Sequence, residues 1–104
     1  MTKIDSKLLL LNASDNVLVA CVNLNAGMEL VIDDTMVTLG EDVALGHKLA
    51  RAELPVGTKV TKYGAPIGST TVAVACGQWL HTHNMRSDYI PTYGRDVGDQ
   101  PLAG

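Results

Sequence analysis

The stretch Thr58-Lys59-Val60-Thr61-Lys62-Tyr63, followed at once by Gly64-Ala65-Pro66-Ile67-Gly68, decides the fold class. In the first six residues, side chains two apart share a character, which is the period of a strand with two unlike faces. Gly64, Pro66 and Gly68 then arrive two residues apart, a spacing that no helix survives. The same punctuation extends in both directions, at Gly27, Gly40, Gly46, Pro55, Gly57 and Gly77. Between the breaks lie short runs rich in Val, Ile, Leu and Thr: Lys7–Asn12, Val17–Leu24, Glu29–Ile32, Met36–Leu39, Lys59–Tyr63, Ile67–Ala75 and Trp79–Asn84. Each reads as a strand.

The expected class is therefore all-β, a small domain that closes on itself as a barrel or folded sheet and so hides its strand edges. Leu45–Leu54 is the best helical segment, but Gly46 near its start and Pro55 after it reduce it to a strand leading into at most one short helical turn. No internal repeat is evident. From Ser87 onward Asp, Gly, Pro, Tyr and Gln replace the apolar alternation, so the expected division is a domain over residues 1–88 and a tail or linker stub over 89–104.

Composition narrows the partners. The 104 residues are 46 % hydrophobic with no Phe and one Trp, which predicts a thin aliphatic core. Eight basic against eleven acidic residues give a charge of −3 without a dense block of either sign, so nothing here would neutralise a row of phosphates, and nucleic acid is not expected as a partner. The apolar stretch Leu8–Leu11 is too short for a secretory signal, and no run approaches the ~20 residues that span a bilayer. A cytoplasmic protein with no membrane partner is expected. Cys21 and Cys76 each lie in an apolar run and read as buried free thiols.

The residues suited to chemistry are few. His81 and His83 flank Thr82 in what reads as a strand, so both imidazoles would leave one face, a spacing suited to metal ligation or to proton transfer. Two idle solvated histidines would show the same spacing. His47, between Gly46 and Lys48, is the remaining histidine and the natural third group. Lys48 and Lys62 offer ammonium groups for a carboxylate, and Tyr63 offers a phenol for a hydroxyl or developing oxyanion. Lys62 as a solvated strand lysine, Tyr63 as a packing residue at a turn, Asn84 as a local turn former and Trp79 as core filler are the plainer alternatives.

Taken in order, Gly46-His47-Lys48, Lys62-Tyr63-Gly64-Ala65-Pro66-Ile67-Gly68 and His81-Thr82-His83-Asn84, with Asp15-Asn16-Val17 and Ala26-Gly27 before them, resemble the N-terminal domain of altronate and galactarate dehydratases. They resemble the small subunit of sulfolactate sulfo-lyases to the same degree. The resemblance covers roughly residues 8–86 and implies a β-clip fold of the SAF type. It also implies a lyase whose active site is completed by a larger domain or subunit. The substrate would be a small acidic polyhydroxy compound, and homo-oligomers are compatible with it. On this resemblance His47, His81 and His83 are the expected catalytic residues, and Lys48, Lys62, Tyr63 and Asn84 the substrate-binding ones. His81 and His83 are the expected ligands of a divalent metal ion, iron before manganese or magnesium, whose binding can depend on the large partner. A non-catalytic SAF module that binds a ligand or acts as a chaperone is the alternative from another class.

Overall fold

The structure, a computed structural model, describes residues 2–87. The expected tail therefore lies outside the described residues. Nine short strands account for all the regular structure among the described residues: β1 (Leu8–Leu9), β2 (Val17–Ala20), β3 (Glu29–Ile32), β4 (Thr35–Thr38), β5 (Lys48–Ala50), β6 (Lys59–Lys62), β7 (Ala65–Thr70), β8 (Trp79–Leu80) and β9 (Met85–Ser87). Every pairing is antiparallel. β1, β2, β5 and β8 form one sheet in that order, β3 and β4 a hairpin, and β6, β7 and β9 a third sheet. The all-β expectation holds, and no helix is present among the described residues, let alone one long and apolar enough to cross a membrane. The helical turn expected after Lys48–Ala50 is replaced by a bend and a single bridge from Leu54 to Val74.

A repeat unseen in the sequence reading governs this architecture. The pattern Leu/Val-x-x-Gly-x-x-Leu/Val recurs as Leu24–Gly27–Leu30, Val43–Gly46–Leu49, Leu54–Gly57–Val60 and Val74–Gly77–Leu80. In each copy the glycine has φ between 81° and 90°. The residue after it donates its N–H to the carbonyl two residues before it, as Met28 to Asn25, His47 to Ala44, Thr58 to Pro55 and Gln78 to Ala75. These are β-turns with glycine at the position that demands positive φ. Each glycine N–H also reaches across to another strand end, at Leu39, Ala20, Thr70 and Ala50 respectively. The copies pair through mutual backbone bonds, Leu24 with Val43 and Leu54 with Val74. The repeat escapes notice because its fixed positions are three residues apart while the intervening residues share no chemistry.

The apolar ends of the four turns fill two small cores. Leu24, Leu30, Val43 and Leu49 join Leu8, Leu18, Ala20, Ile32 and Leu39 in the first, and Leu54, Val60, Val74 and Leu80 join Val17 and Ala50 in the second. None of these eight turn residues is more than 4 % exposed, and burial of each contributes about 1.5–3 kcal/mol. The sheet containing β5 separates the cores. In its register Leu18, Leu49 and Trp79 lie side by side toward the first core, while Val19, Lys48 and Leu80 lie on the other face with the second. Cys21 departs from expectation. It is exposed at the bend that ends β2, and Cys76 is half-buried; both thiols are free.

Candidate functional site

The fold places Trp79 at the centre of the three histidines. His47 follows the Gly46 turn and, one residue ahead of β5, falls on the face of Leu49, whose cross-strand partner is Trp79. The indole Nε1–H donates to His47 Nδ1 at 3.2 Å, and the two ring centroids are 5.7 Å apart. His81 stacks on the indole at 5.1 Å with 12° between the planes and stands 5.7 Å from His47. His83 meets the indole from a tilted position, 4.9 Å away. The structure thus brings together all three histidines singled out in the sequence, and adds Trp79, which the sequence reading treats as filler.

The histidines are not held as a strand would hold them. β8 ends at Leu80, and residues 81–84 form a turn. Asn84 explains the difference. Its side chain is 1 % exposed; Oδ1 accepts the N–H of His81 at 3.0 Å and Nδ2 donates to the carbonyl of Trp79 at 2.8 Å. A short amide that satisfies nearby backbone competes with a strand ladder, and here it turns the chain over. The geometry therefore assigns the Asn84 amide to shaping the His81–His83 turn, with its oxygen and nitrogen both engaged. Glu41 Oε2 accepts the backbone N–H of Trp79 at 3.2 Å, anchoring the ring from the other side.

The second group of expected residues is spread over two sheets, with Lys48 opening β5 and Lys62 closing β6 just before Tyr63. Lys48 extends two residues beyond Ala50 on the side of the second core, and Lys62 two residues beyond the buried Val60. Burial, with the Lys62 charge as a smaller cause, draws the Lys48 ammonium below its ordinary value of 10.5. Among the described residues neither lysine has a carboxylate in ion-pair contact. Lys62 Nζ lies 5.8 Å from the centre of the Tyr63 ring. Tyr63 itself is 68 % exposed and has φ 57°, a conformation that costs a bulky side chain energy and that concentrates at functional sites.

What holds Tyr63 there is a residue that the sequence supplied without its role. Asp15 is 2 % exposed, and its carboxylate accepts the N–H groups of Tyr63 at 2.9 Å and Gly64 at 2.7 Å. Asn16 beside it accepts from Thr61 N–H and donates to the Lys59 carbonyl, both at 2.8 Å, fixing β6 alongside β2. An Asp-Asn pair just before an apolar strand is the signal that could have identified this clamp, in which Asp15 is buried and Asn16 half-buried.

No three of His, Cys, Asp and Glu converge as a metal-binding set among the described residues. His47 Nδ1 is engaged by the indole, and His81 lies flat on it. The side chains of the described residues do not by themselves fit a metal centre.

Comparison with known proteins adds context. The family model for the altronate/galactarate dehydratase SAF domain matches residues 6–88. The altronate dehydratase of Escherichia coli (strain K12) is 44 % identical over 78 residues, which are 75 % of this chain and 16 % of that protein. The altronate dehydratase of Bacillus subtilis (strain 168) is 28 % identical over the same shares. The (2R)-sulfolactate sulfo-lyase subunit alpha of Paracoccus pantotrophus is 35 % identical over 54 residues, 52 % of this chain and 81 % of that subunit.

Proposed function

Because the chain belongs to the altronate/galactarate dehydratase SAF domain family, we propose that it supplies part of the active site of a lyase acting on a small sugar acid, completed by a larger domain or subunit. The observation that carries this reading is the convergence of His47, His81 and His83 on one indole, with Lys48 next to His47 in the chain and the Lys62 charge felt at Lys48, both lysines lacking acidic partners among the described residues. Three imidazoles at one strand end are a costly way to cover a surface and a useful way to move protons.

Loss of water from a 2,3-dihydroxy acid has three demands. A base must take the C2 proton, the ene-diolate that forms must be stabilised, and the C3 oxygen must be protonated as it leaves as water. The resulting enol then becomes a 2-keto-3-deoxy acid. His81 and His83, both exposed, suit the proton transfers, and His47, half-buried, suits a fixed hydrogen bond. Lys48 and Lys62 offer positive charge to the substrate carboxylate, and Tyr63 a phenol to a hydroxyl. Asn84 acts on the substrate only through the turn it shapes. The divalent cation implied by the resemblance, iron before manganese or magnesium, belongs in this reading to the larger part, which would supply the missing ligands. The setting is cytoplasmic.

A second reading has its own support: the match covers 81 % of a sulfo-lyase subunit. Sulfolactate elimination shares the C2 proton abstraction but breaks a C–S bond, releasing sulfite and the enol of pyruvate. The test combines the chain with its large partner and follows formation of 2-keto-3-deoxy acid, or of pyruvate and sulfite. His81→Ala and His83→Ala should each lower kcat by about 10²-fold or more. Near-normal turnover in both variants would leave a binding or chaperone module as the better description.

A further inference from the structure

Trp79 touches every histidine of the site, yet an indole has no acid or base chemistry near neutral pH. Its Nε1–H is a donor only, so the hydrogen bond to His47 at 3.2 Å requires His47 Nδ1 to be the acceptor. A neutral imidazole has one N–H, and when Nδ1 accepts, the proton resides on Nε2. The indole N–H is held on His47, and the Trp79 main chain is held on either side of the residue, its N–H on Glu41 and its carbonyl on the buried Asn84 amide. Its face is covered by His81 at 5.1 Å and its other flank contacts His83 at 4.9 Å. One indole ring thus contacts all three imidazoles.

We infer that Trp79 is a positioning residue that fixes His47 as an Nε2–H hydrogen-bond donor to the oxygen on which charge develops, leaving the proton transfers to His81 and His83. This rests on the lyase reading above. A neutral imidazole presenting N–H stabilises an enolate-like oxygen without itself changing protonation state, which divides the work among the three histidines. His47 is then an electrophile, and abstraction of the C2 proton falls to another group.

The experiment uses the full chain at about pH 8, above the ordinary imidazole range. In the unmutated chain the single Trp79 indole N–H resonance should lie downfield of a free indole and exchange slowly, and it should move to the free position in His47→Ala, which has no acceptor. Trp79→Phe keeps an aromatic ring but removes the donor. The ¹⁵N shifts of His47 should report one Nε2–H tautomer in the unmutated chain and an average of two tautomers in Trp79→Phe. With the large partner present, Trp79→Phe should lower kcat about tenfold while KM stays within about twofold, the pattern of a misplaced rather than absent group. A free-indole resonance in the unmutated chain overturns the assignment without any Trp79 variant, as does an unchanged His47 tautomer in Trp79→Phe. If the tautomer shifts but His47→Ala turns over normally, the positioning by Trp79 stands and the catalytic reading of His47 fails.

Discussion

Asn84 shows how much one buried amide can determine. Both of its polar atoms are committed to backbone groups, the N–H of His81 and the carbonyl of Trp79, and its own N–H closes the turn onto the His81 carbonyl at 3.1 Å. Asn84→Ala strips partners from two backbone groups in a half-buried turn, which should cost about 1–3 kcal/mol in urea denaturation. It should also loosen the histidines, so that turnover of the assembled enzyme falls as well. At this scale the sequence reading picked out three histidines that the fold brings around one indole, but expected His81 and His83 on a strand where the chain turns. Residue type and spacing identify His47, His81 and His83, but a strand and an amide-closed turn are equally compatible with His-Thr-His-Asn. Trp79 was undervalued because nothing in its neighbours announces that an indole N–H will meet an imidazole from another strand.

The strands were legible because glycine and proline bracket them; the four-fold turn was not, and it is the element from which the molecule is built. Gly27, Gly46, Gly57 and Gly77 share positive φ, but the glycine with least room is Gly68, in the middle of β7. A Cβ there would lie 2.2 Å from the carbonyl oxygen of Arg86 in β9, far inside any real contact. Gly68→Ala should therefore detach β9 and destabilise the chain by about 2–3 kcal/mol. Gly40→Ala, with nothing within 4 Å of its added carbon and no positive φ, should stay within about 0.5 kcal/mol of the unmutated chain. Thermal melts of the two variants side by side separate a required close approach from an incidental glycine. The bulge between Val60 and Thr61 similarly lets Pro66 sit in β7 opposite Thr61 without breaking the hairpin.

Across the whole molecule, the two halves of the repeat are joined by more than their shared sheet. Arg51, at the first bend of the second half, grips Asp33 in the hairpin of the first with two bonds, Nε to Oδ2 at 2.9 Å and Nη2 to Oδ1 at 3.1 Å. Its remaining Nη1 donates to the carbonyls of Ala13 and Asp15, both at 3.0 Å. The Arg51 hydrogen bonds hold the Asp33 carboxyl below its ordinary value of 3.8, against the opposing effect of burial. A carboxylate whose value is lowered on folding contributes stability that is complete above the unfolded value and disappears as the pH falls through the folded one. Acidification below about pH 4 should therefore destabilise the unmutated chain more than Arg51→Ala, measured by circular dichroism in urea at stepped pH. The pair is partly solvated, so the difference should remain under about 1 kcal/mol. This clamp was invisible in the sequence, where Asp33 and Arg51 are ordinary charges in turns; only the doubled frame makes them neighbours. That frame offers four equivalent corners, occupied by Met28, His47, Thr58 and Gln78 after their glycines. At the last, Gln78 bends back to take its own turn's Ala75 N–H at 2.9 Å. The scaffold presents the same backbone address four times and carries an imidazole at one of them, so the residue after each glycine is the position at which a side chain can change while the turn keeps its own backbone bond.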